Sequence, residues 1–327
     1  MALLKKRTFW YALIGLGFLS LLLVTSDLNA LVEVIGTLRP TTVLTLIALQ
    51  FLTIFLISLQ WFLLARHMRM PLSFGLIYEM NMVGTFFESV TPAVKTGGEA
   101  YKLYYLKQKG RSVPQGGALL SAQKLFSMAA FILLASLSIL YFVLTQSATS
   151  ATLRTIAPIY GGFLALIAGV VVMVLGANRF LSSERFPGLK KRTAGFKSAL
   201  HETLAPLKSR KGMLFLYGVL SLSIWALYAF KTFYVLGRFG INLDYLSSAF
   251  PTFLAYMAGM VPFTPGGLGT FEGAFTVAMQ PYGIPTAKAL AAVLTLRLFT
   301  YWFQLLFSAV YLTSLHGVRR WFHAPTD

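Results

Sequence analysis

The sequence of 327 residues has no cysteine, only ten acidic residues and a charged fraction of 12%. Without cysteine, disulfide bonds, thiol nucleophiles and cysteine-ligated metal sites are excluded. An ordinary soluble domain carries about 25% charged residues, so this composition argues against a soluble enzyme. The chain has no Walker A loop and no GxGxxG fingerprint, and its four histidines show no metal-ligand spacing. We therefore expect no enzymatic activity, no metal and no cofactor.

Hydrophobic residues make up 57% of the chain and occur in runs close to the roughly 20 residues that cross a bilayer. Six runs predict transmembrane helices: 10–24, 43–65, 117–144, 156–176, 213–236 and 287–315. The first run follows three basic residues, and we interpret it as an uncleaved anchor because no good small-residue cleavage site follows it. No loop is long enough for a soluble domain, so we predict a single all-α membrane domain, 1–327.

The net charge of +18 is distributed unevenly along the chain. With the N-terminus inside, 21 of the 28 lysines and arginines fall in four cytoplasmic segments: 1–8, 66–115, 178–212 and 316–327. This positive-inside pattern predicts a multi-pass protein of the cytoplasmic (inner) membrane with both termini in the cytoplasm. The same basic segments would attract anionic lipids at the cytoplasmic face, and we expect no nucleic-acid partner. The oligomeric state is left open.

Two further apolar stretches, 71–106 and 244–283, are each interrupted by a Thr-Pro step and a glycine cluster. Neither stretch can form one straight helix, because proline lacks a backbone donor and clashes with the preceding turn. If each stretch enters and leaves on the same side, the basic loops all remain cytoplasmic. We therefore predict two re-entrant helical hairpins. The alternative is a set of ordinary short kinked helices, or a surface helix for the first stretch.

The two interrupted stretches match each other at an offset of 173 residues. In each half a Thr-Pro step is followed by a glutamate and then by a base-Leu-Phe-hydroxyl sequence. The matched positions are Thr91-Pro92 with Thr264-Pro265, Glu99 with Glu272, and Lys124 with Arg297. This register predicts a 3+3 inverted repeat, with a first repeat 1–150 and a second repeat 151–327 that contains a cytoplasmic insertion, 178–212.

Charged residues in apolar surroundings normally face a bundle interior and pair with one another. The repeat suggests pairs of Glu99 with Lys124 and of Glu272 with Arg297, although pairing across the halves is equally compatible with the sequence. A purely architectural role for these charges is the alternative. Lys231, also within a predicted span, could instead extend to the outer interface.

The glycine clusters allow positive φ angles and a close approach of another backbone or a lipid headgroup. Each cluster precedes a predicted helix, whose free N–H groups would suit an anionic phosphate. Tight helix packing is the alternative explanation. The substrate-binding candidates are Thr91, Pro92, Gly97, Gly98, Glu99, Lys124, Thr264, Pro265, Gly266, Gly267, Gly269, Glu272 and Arg297.

The segments FESVTPAVKTGGEAYKLYYL and VPFTPGGLGTFEGAF resemble the lysylphosphatidylglycerol synthase transmembrane family, which includes the flippase domain of MprF and stand-alone relatives. The most recognisable element is Pro-Gly-Gly-Leu-Gly followed by Glu272, and the second is Gly-Gly-Glu ending at Glu99. This resemblance implies a lipid flippase fold with re-entrant helices. The soluble aminoacyl-transferase domain of MprF has no counterpart here, so synthesis of lysyl-lipid is not expected.

Taken with the resemblance, the pattern predicts a transporter that moves or presents an anionic or polyprenyl/isoprenoid-type lipid across the membrane. Since no nucleotide site is present, transport would be passive or ion-coupled. Two other classes remain open. One is a membrane enzyme, or an enzyme subunit, acting on a lipid-linked substrate. The other is a non-transporting scaffold of a lipid-synthesis complex.

Overall fold

The structure, a computed structural model, describes residues 38–91, 96–145, 160–162, 165, 211–260 and 265–313. All regular secondary structure within these ranges is helical. The helices are α1 (Pro40–His67), α2 (Phe74–Val90), α3 (Thr96–Gln108), α4 (Val113–Thr145), α5 (Lys211–Arg238), α6 (Tyr245–Gly259), α7 (Thr270–Met279), α8 (Thr286–Arg297) and α9 (Phe303–Thr313).

Four helices are long and apolar enough to cross a membrane: Pro40–His67, Val113–Thr145, Gly212–Arg238 and Thr286–Thr313. The last consists of α8 and α9, joined by a π-helical turn at Leu298–Trp302. These helices coincide with four of the six predicted spans. The other two predicted spans, 10–24 and 156–176, and the predicted insertion 178–212 lie largely outside the described residues.

The outer surface of α4 has the character expected of a helix in lipid. Leu133, Leu137, Leu140 and Leu144 are all exposed and recur every three or four residues. This spacing places them on one face of the helix. A contiguous apolar face of this kind is poorly suited to water and well suited to a hydrocarbon environment.

Each of the two interrupted stretches folds into a pair of antiparallel helices. In hairpin 1, formed by α2 and α3, Phe87 stacks on Tyr101 with ring centroids 5.3 Å apart. In hairpin 2, formed by α6 and α7, Tyr256 contacts Phe271 edge-on at 5.0 Å. The breaks between the helices, at 92–95 and 261–264, lie outside the described residues. We call the end of each hairpin next to its break the tip and the opposite end the base.

The base of hairpin 1 lies at the C-terminal end of α1. Met70, which precedes α2, and Leu106, near the end of α3, belong to the same apolar cluster as Leu64 of α1. The two ends of this hairpin therefore return to one place in the molecule.

The base of hairpin 2 lies at the N-terminal end of α1. Ile241, ahead of α6, and Met279, at the end of α7, share a cluster with Leu46 of α1. With 28 residues at 1.5 Å each, α1 is about 42 Å long. The two hairpins thus start from opposite ends of one long helix.

Candidate functional site

Both ion pairs suggested by the sequence are present, and each forms within its own half of the chain. The Lys124 ammonium lies 2.6 Å from a Glu99 carboxylate oxygen. The Arg297 Nε lies 2.8 Å from a Glu272 carboxylate oxygen. The sequence alone left open whether the pairs form within or across the halves, and the structure decides for pairing within them.

The two pairs differ strongly in exposure. The side chains of Arg297 and Glu272 are only 8% and 12% exposed. Those of Lys124 and Glu99 are 43% and 35% exposed. An exposed ammonium has three donors and keeps capacity for a further acceptor, such as a phosphate oxygen. Of the two sequence-equivalent pairs, only the first is accessible to a ligand.

Glu272 stabilises the start of α7. It lies in the first turn of this helix, and its second carboxylate oxygen accepts a hydrogen bond of 2.7 Å from the Gly269 N–H. A carboxylate at this place satisfies a free donor of the helix start and interacts favourably with the helix dipole. The anion that the sequence led us to expect at this helix start is thus supplied by the protein itself.

Arg297 holds the tip of hairpin 2 from the neighbouring helix. Its guanidinium donates a second hydrogen bond, of 2.8 Å, to the carbonyl oxygen of Gly266. It also lies over the rings of Phe271 and Tyr301, at 4.9 and 4.4 Å from their centroids. These contacts give Arg297 an architectural role, which the sequence allowed as an alternative to headgroup binding.

The two glycine clusters serve different purposes. Gly266, Gly267 and Gly269 have φ angles of 59, 69 and 80°, as expected for a turn that only glycine adopts without strain. Gly97 and Gly98 lie instead in the first turn of α3, and neither has a positive φ angle, so backbone conformation does not require glycine at this cluster.

Close packing explains the glycines of both tips. A Cβ atom on Gly98 would lie 2.5 Å from the Gly84 carbonyl oxygen in α2. A Cβ atom on Gly267 would lie 2.8 Å from the Gly259 Cα in α6. In hairpin 1 a glycine therefore lets the two helices approach closely near the tip, and in hairpin 2 a glycine lets the turn before α7 pack against the end of α6.

The Thr-Pro steps are described only in part. Thr91 follows the last residue of α2, and its hydroxyl donates to the Phe87 carbonyl at 2.7 Å. Pro265 begins the short 3₁₀ turn Pro265–Gly267. Pro92 and Thr264 lie outside the described residues.

The tips of the two hairpins meet at Tyr301, which lies in the π-helical turn between α8 and α9. The Tyr301 hydroxyl donates a buried hydrogen bond of 3.0 Å to the carbonyl of Ser89, near the end of α2. Val90 of hairpin 1 and Leu268 of hairpin 2 pack in one apolar cluster with the Tyr301 ring. The wide turn that carries Tyr301 is of a kind often found at functional sites, and no sequence signal indicated it.

The sequence model of one protein family, described as the lysylphosphatidylglycerol synthase TM region, matches residues 10–308 of this chain. The matched range includes both hairpins and both ion pairs. The chain belongs to this family. It is also similar to three archaeal proteins named as UPF0104 membrane proteins. The protein from Methanothermobacter thermautotrophicus is 28% identical over 281 residues, which cover 80% of this chain and 82% of that protein.

The other two relatives have lower sequence identity to this chain, but their matches extend over a larger share of both chains. MJ1595 of Methanocaldococcus jannaschii is 22% identical, over 88% of this chain and 90% of its own length. PH1989 of Pyrococcus horikoshii is 21% identical, over 91% of this chain and 94% of its own length. Together with the four long apolar helices, these matches identify this member of the lysylphosphatidylglycerol synthase TM region family as an integral membrane protein.

One charged residue of this family member lies elsewhere than the sequence suggested. The Lys231 side chain does not extend to an interface but is completely buried in α5. Its ammonium donates to the Gln50 side-chain oxygen at 2.6 Å and lies 4.8 Å from the centre of the Tyr228 ring. Among the described histidine and acidic side chains, no group of three or more is placed to hold a metal ion.

Proposed function

We propose that this protein moves an amphipathic lipid, anionic or of the polyprenyl/isoprenoid type, across the cytoplasmic membrane. The observation that carries the proposal is the arrangement of the hairpins. Their bases lie at opposite ends of α1, and their tips meet at Tyr301. A headgroup bound at such a junction could reach either face of the membrane with small movements of the two tips. This is the usual logic of transporters built from paired broken helices.

The arrangement supports a re-entrant topology for both hairpins. A helix of about 42 Å exceeds the roughly 30 Å hydrocarbon core, so the opposite ends of α1 would reach opposite interfaces. Hairpins that start there and meet between would each enter and leave on one side. Non-helical backbone at membrane depth is tolerated only beside protein or a wet cavity, and the tips have protein partners. We therefore keep the six-span, 3+3 inverted repeat, with cytoplasmic termini, as part of the proposal.

Within this site we assign the headgroup to the pair formed by Lys124 of α4 and Glu99 of hairpin 1. The Lys124 side chain is 43% exposed and its ammonium keeps free donors that a ligand can reach, whereas the Arg297 side chain is only 8% exposed and is held by Glu272 and Gly266. Glu99, in the first turn of α3, would hold Lys124 in place until an anionic group replaces it. The acyl chains would remain in the bilayer beside the protein.

The state of Glu272 also supports a non-enzymatic role. One of its oxygens is paired with Arg297 and the other accepts from the Gly269 N–H. An acid–base group needs to exchange a proton with a substrate, and a carboxylate held on both oxygens is poorly suited to that. We therefore propose binding and movement of a lipid, without chemical change.

Reconstitution of the purified protein into vesicles tests the proposal. A fluorescent phosphatidylglycerol is placed in both leaflets and bleached by a reagent added outside the vesicles. The fraction of the lipid that this reagent reaches is followed over time. We expect the protein to make lipid of the inner leaflet accessible, and to do so more slowly after Lys124→Met. Lys288→Met, at an exposed position in α8, is the matched control and should behave as wild type.

Accessibility equal to that of protein-free vesicles, for phosphatidylglycerol and for a polyprenyl phosphate probe, would refute the proposal. Mass spectrometry of lipid that copurifies with the protein would then distinguish an enzyme subunit from a scaffold. An enzyme subunit would change the mass of a bound lipid, whereas a scaffold would not.

A further inference from the structure

A second polar centre lies inside the bundle, away from the two ion pairs. Lys231 of α5 donates to the Gln50 side chain of α1 at 2.6 Å. Gln50 in turn donates to the Gln304 side-chain oxygen of α9 at 2.8 Å. Lys231 and Gln50 are both 0% exposed, so the chain of hydrogen bonds joins three long helices in the interior.

The charge of Lys231 has no opposite charge beside it among the described residues. Its contacts there are the Gln50 amide oxygen and the face of the Tyr228 ring, at 4.8 Å from its centroid. Both are favourable for a cation, but neither neutralises it. Buried charges in proteins are normally paired, since taking an unpaired ion out of water is expensive. A neutral amine at this position would keep the hydrogen bond to Gln50 without that expense.

The helices that pack most closely against α5 are α1, α4, α6 and α8, and none of them contains an aspartate or a glutamate. Tyr256 of α6 packs against Tyr228 at 5.3 Å. Arg297 of α8 is paired with Glu272, and Lys124 of α4 is paired with Glu99. The other ionisable residues of α1, α4, α6 and α8 are Arg66, His67, Tyr141, Tyr245 and Lys288. None of these contacts supplies a carboxylate to Lys231.

We propose that Lys231, with Gln50 and Gln304, forms a binding site for one proton, and that this proton is the coupling ion of the transporter. The second part rests on the proposed function. Binding adds a proton to the neutral amine and gives the ammonium, and release reverses this without any other bond change. Since Gln50 lies on α1 while Lys231 and Gln304 lie on α5 and α9, the charge state of one side chain affects the contact between three helices.

The proton site is tested without transport. Protein labelled with ¹³C at the lysine Cε atoms is titrated by NMR in micelles, and the Lys231 resonance is assigned with Lys231→Arg. We expect this resonance to change with pH over a different range from the resonances of the exposed lysines. A Lys231 resonance that stays at the position of the ammonium throughout, or that follows the exposed lysines, would overturn the site.

The coupling is tested in the vesicle assay with a pH difference across the membrane. Wild type should move phosphatidylglycerol several-fold faster with the gradient in one direction than without it. Lys231→Met should lose this response, whatever its rate without a gradient, while Lys288→Met should keep it. A full gradient response in Lys231→Met would overturn the coupling. If wild type moves no lipid under any condition, the proposed function fails, and the NMR titration still decides the proton site.

Discussion

The Tyr301 hydroxyl and the Ser89 carbonyl, 212 positions apart in the chain, form a buried hydrogen bond of 3.0 Å between the two hairpin regions. Tyr301→Phe removes this bond but retains the ring that packs against Arg297 and Gly266. Since the buried carbonyl loses its partner, we expect a loss of about 1–3 kcal/mol in stability, measured as a lower midpoint of thermal unfolding.

Tyr104→Phe, at an exposed position in α3, is the control for this change and should leave the midpoint unaltered. If Tyr301→Phe unfolds at the same temperature as this control, the hydrogen bond does not hold the tips together. In the vesicle assay, a looser junction should also change the rate of lipid movement, because the proposed site lies between the tips.

The ion pairs should respond unequally to loss of their acids. Glu272→Gln leaves the buried Arg297 charge uncompensated, which typically destabilises a protein by about 3–5 kcal/mol. Glu99→Gln breaks a largely exposed pair, for which about 0–1 kcal/mol is usual. Thermal unfolding and the yield of folded protein measure both effects.

A double variant separates pairing from the other contacts of Glu272. Glu272→Gln combined with Arg297→Gln should recover part of the lost yield, because no unpaired charge remains. Equal stability of Glu272→Gln and Glu99→Gln would contradict the difference in burial.

Much of this architecture could be predicted from sequence, and the remainder could not for physical reasons. Four of the six predicted apolar runs form helices long enough to cross a membrane, and both stretches with a Thr-Pro break form pairs of packed helices, because long apolar runs and proline leave the backbone few alternatives. The matched spacing of Glu272 and Arg297 correctly suggested their pairing. The burial of Lys231 and the role of Tyr301 depend on which helices become neighbours, and no local pattern contains that information.

Glycine-to-alanine changes should distinguish packing from headgroup access. Gly267→Ala places a Cβ atom 2.8 Å from the Gly259 Cα and also requires a φ of 69° from alanine, so we expect marked destabilisation. Gly273→Ala, within α7 and with open space around its Cβ, is the matched control. It should be neutral or stabilising by up to about 1 kcal/mol, since alanine favours helices.

The two changes are compared by thermal unfolding before any transport measurement. Normal stability of Gly267→Ala would show that the tip of hairpin 2 has room for a side chain, contrary to the packing described here.

Single cysteines test the proposed topology without background, because the chain has none of its own. Gln108→Cys lies at the base of hairpin 1, at the end of α3, and Asn242→Cys precedes hairpin 2; both positions are exposed. In sealed right-side-out vesicles, whose cytoplasmic face points inward, we expect a membrane-impermeant maleimide to label Asn242→Cys and not Gln108→Cys. Labelling of both from one side would rule out hairpins that enter from opposite faces.

Because the two ion pairs are buried to different extents, they respond differently to salt in the surrounding solution. Dissolved ions screen charges over about 8 Å at physiological ionic strength, but only where they can approach. Salt therefore weakens the bond between Lys124 and Glu99 and leaves that between Arg297 and Glu272 nearly unchanged. Two ion pairs with the same spacing in the sequence thus respond differently to ionic strength. The strength of the first pair changes with the salt concentration, and the second pair is a fixed part of the scaffold.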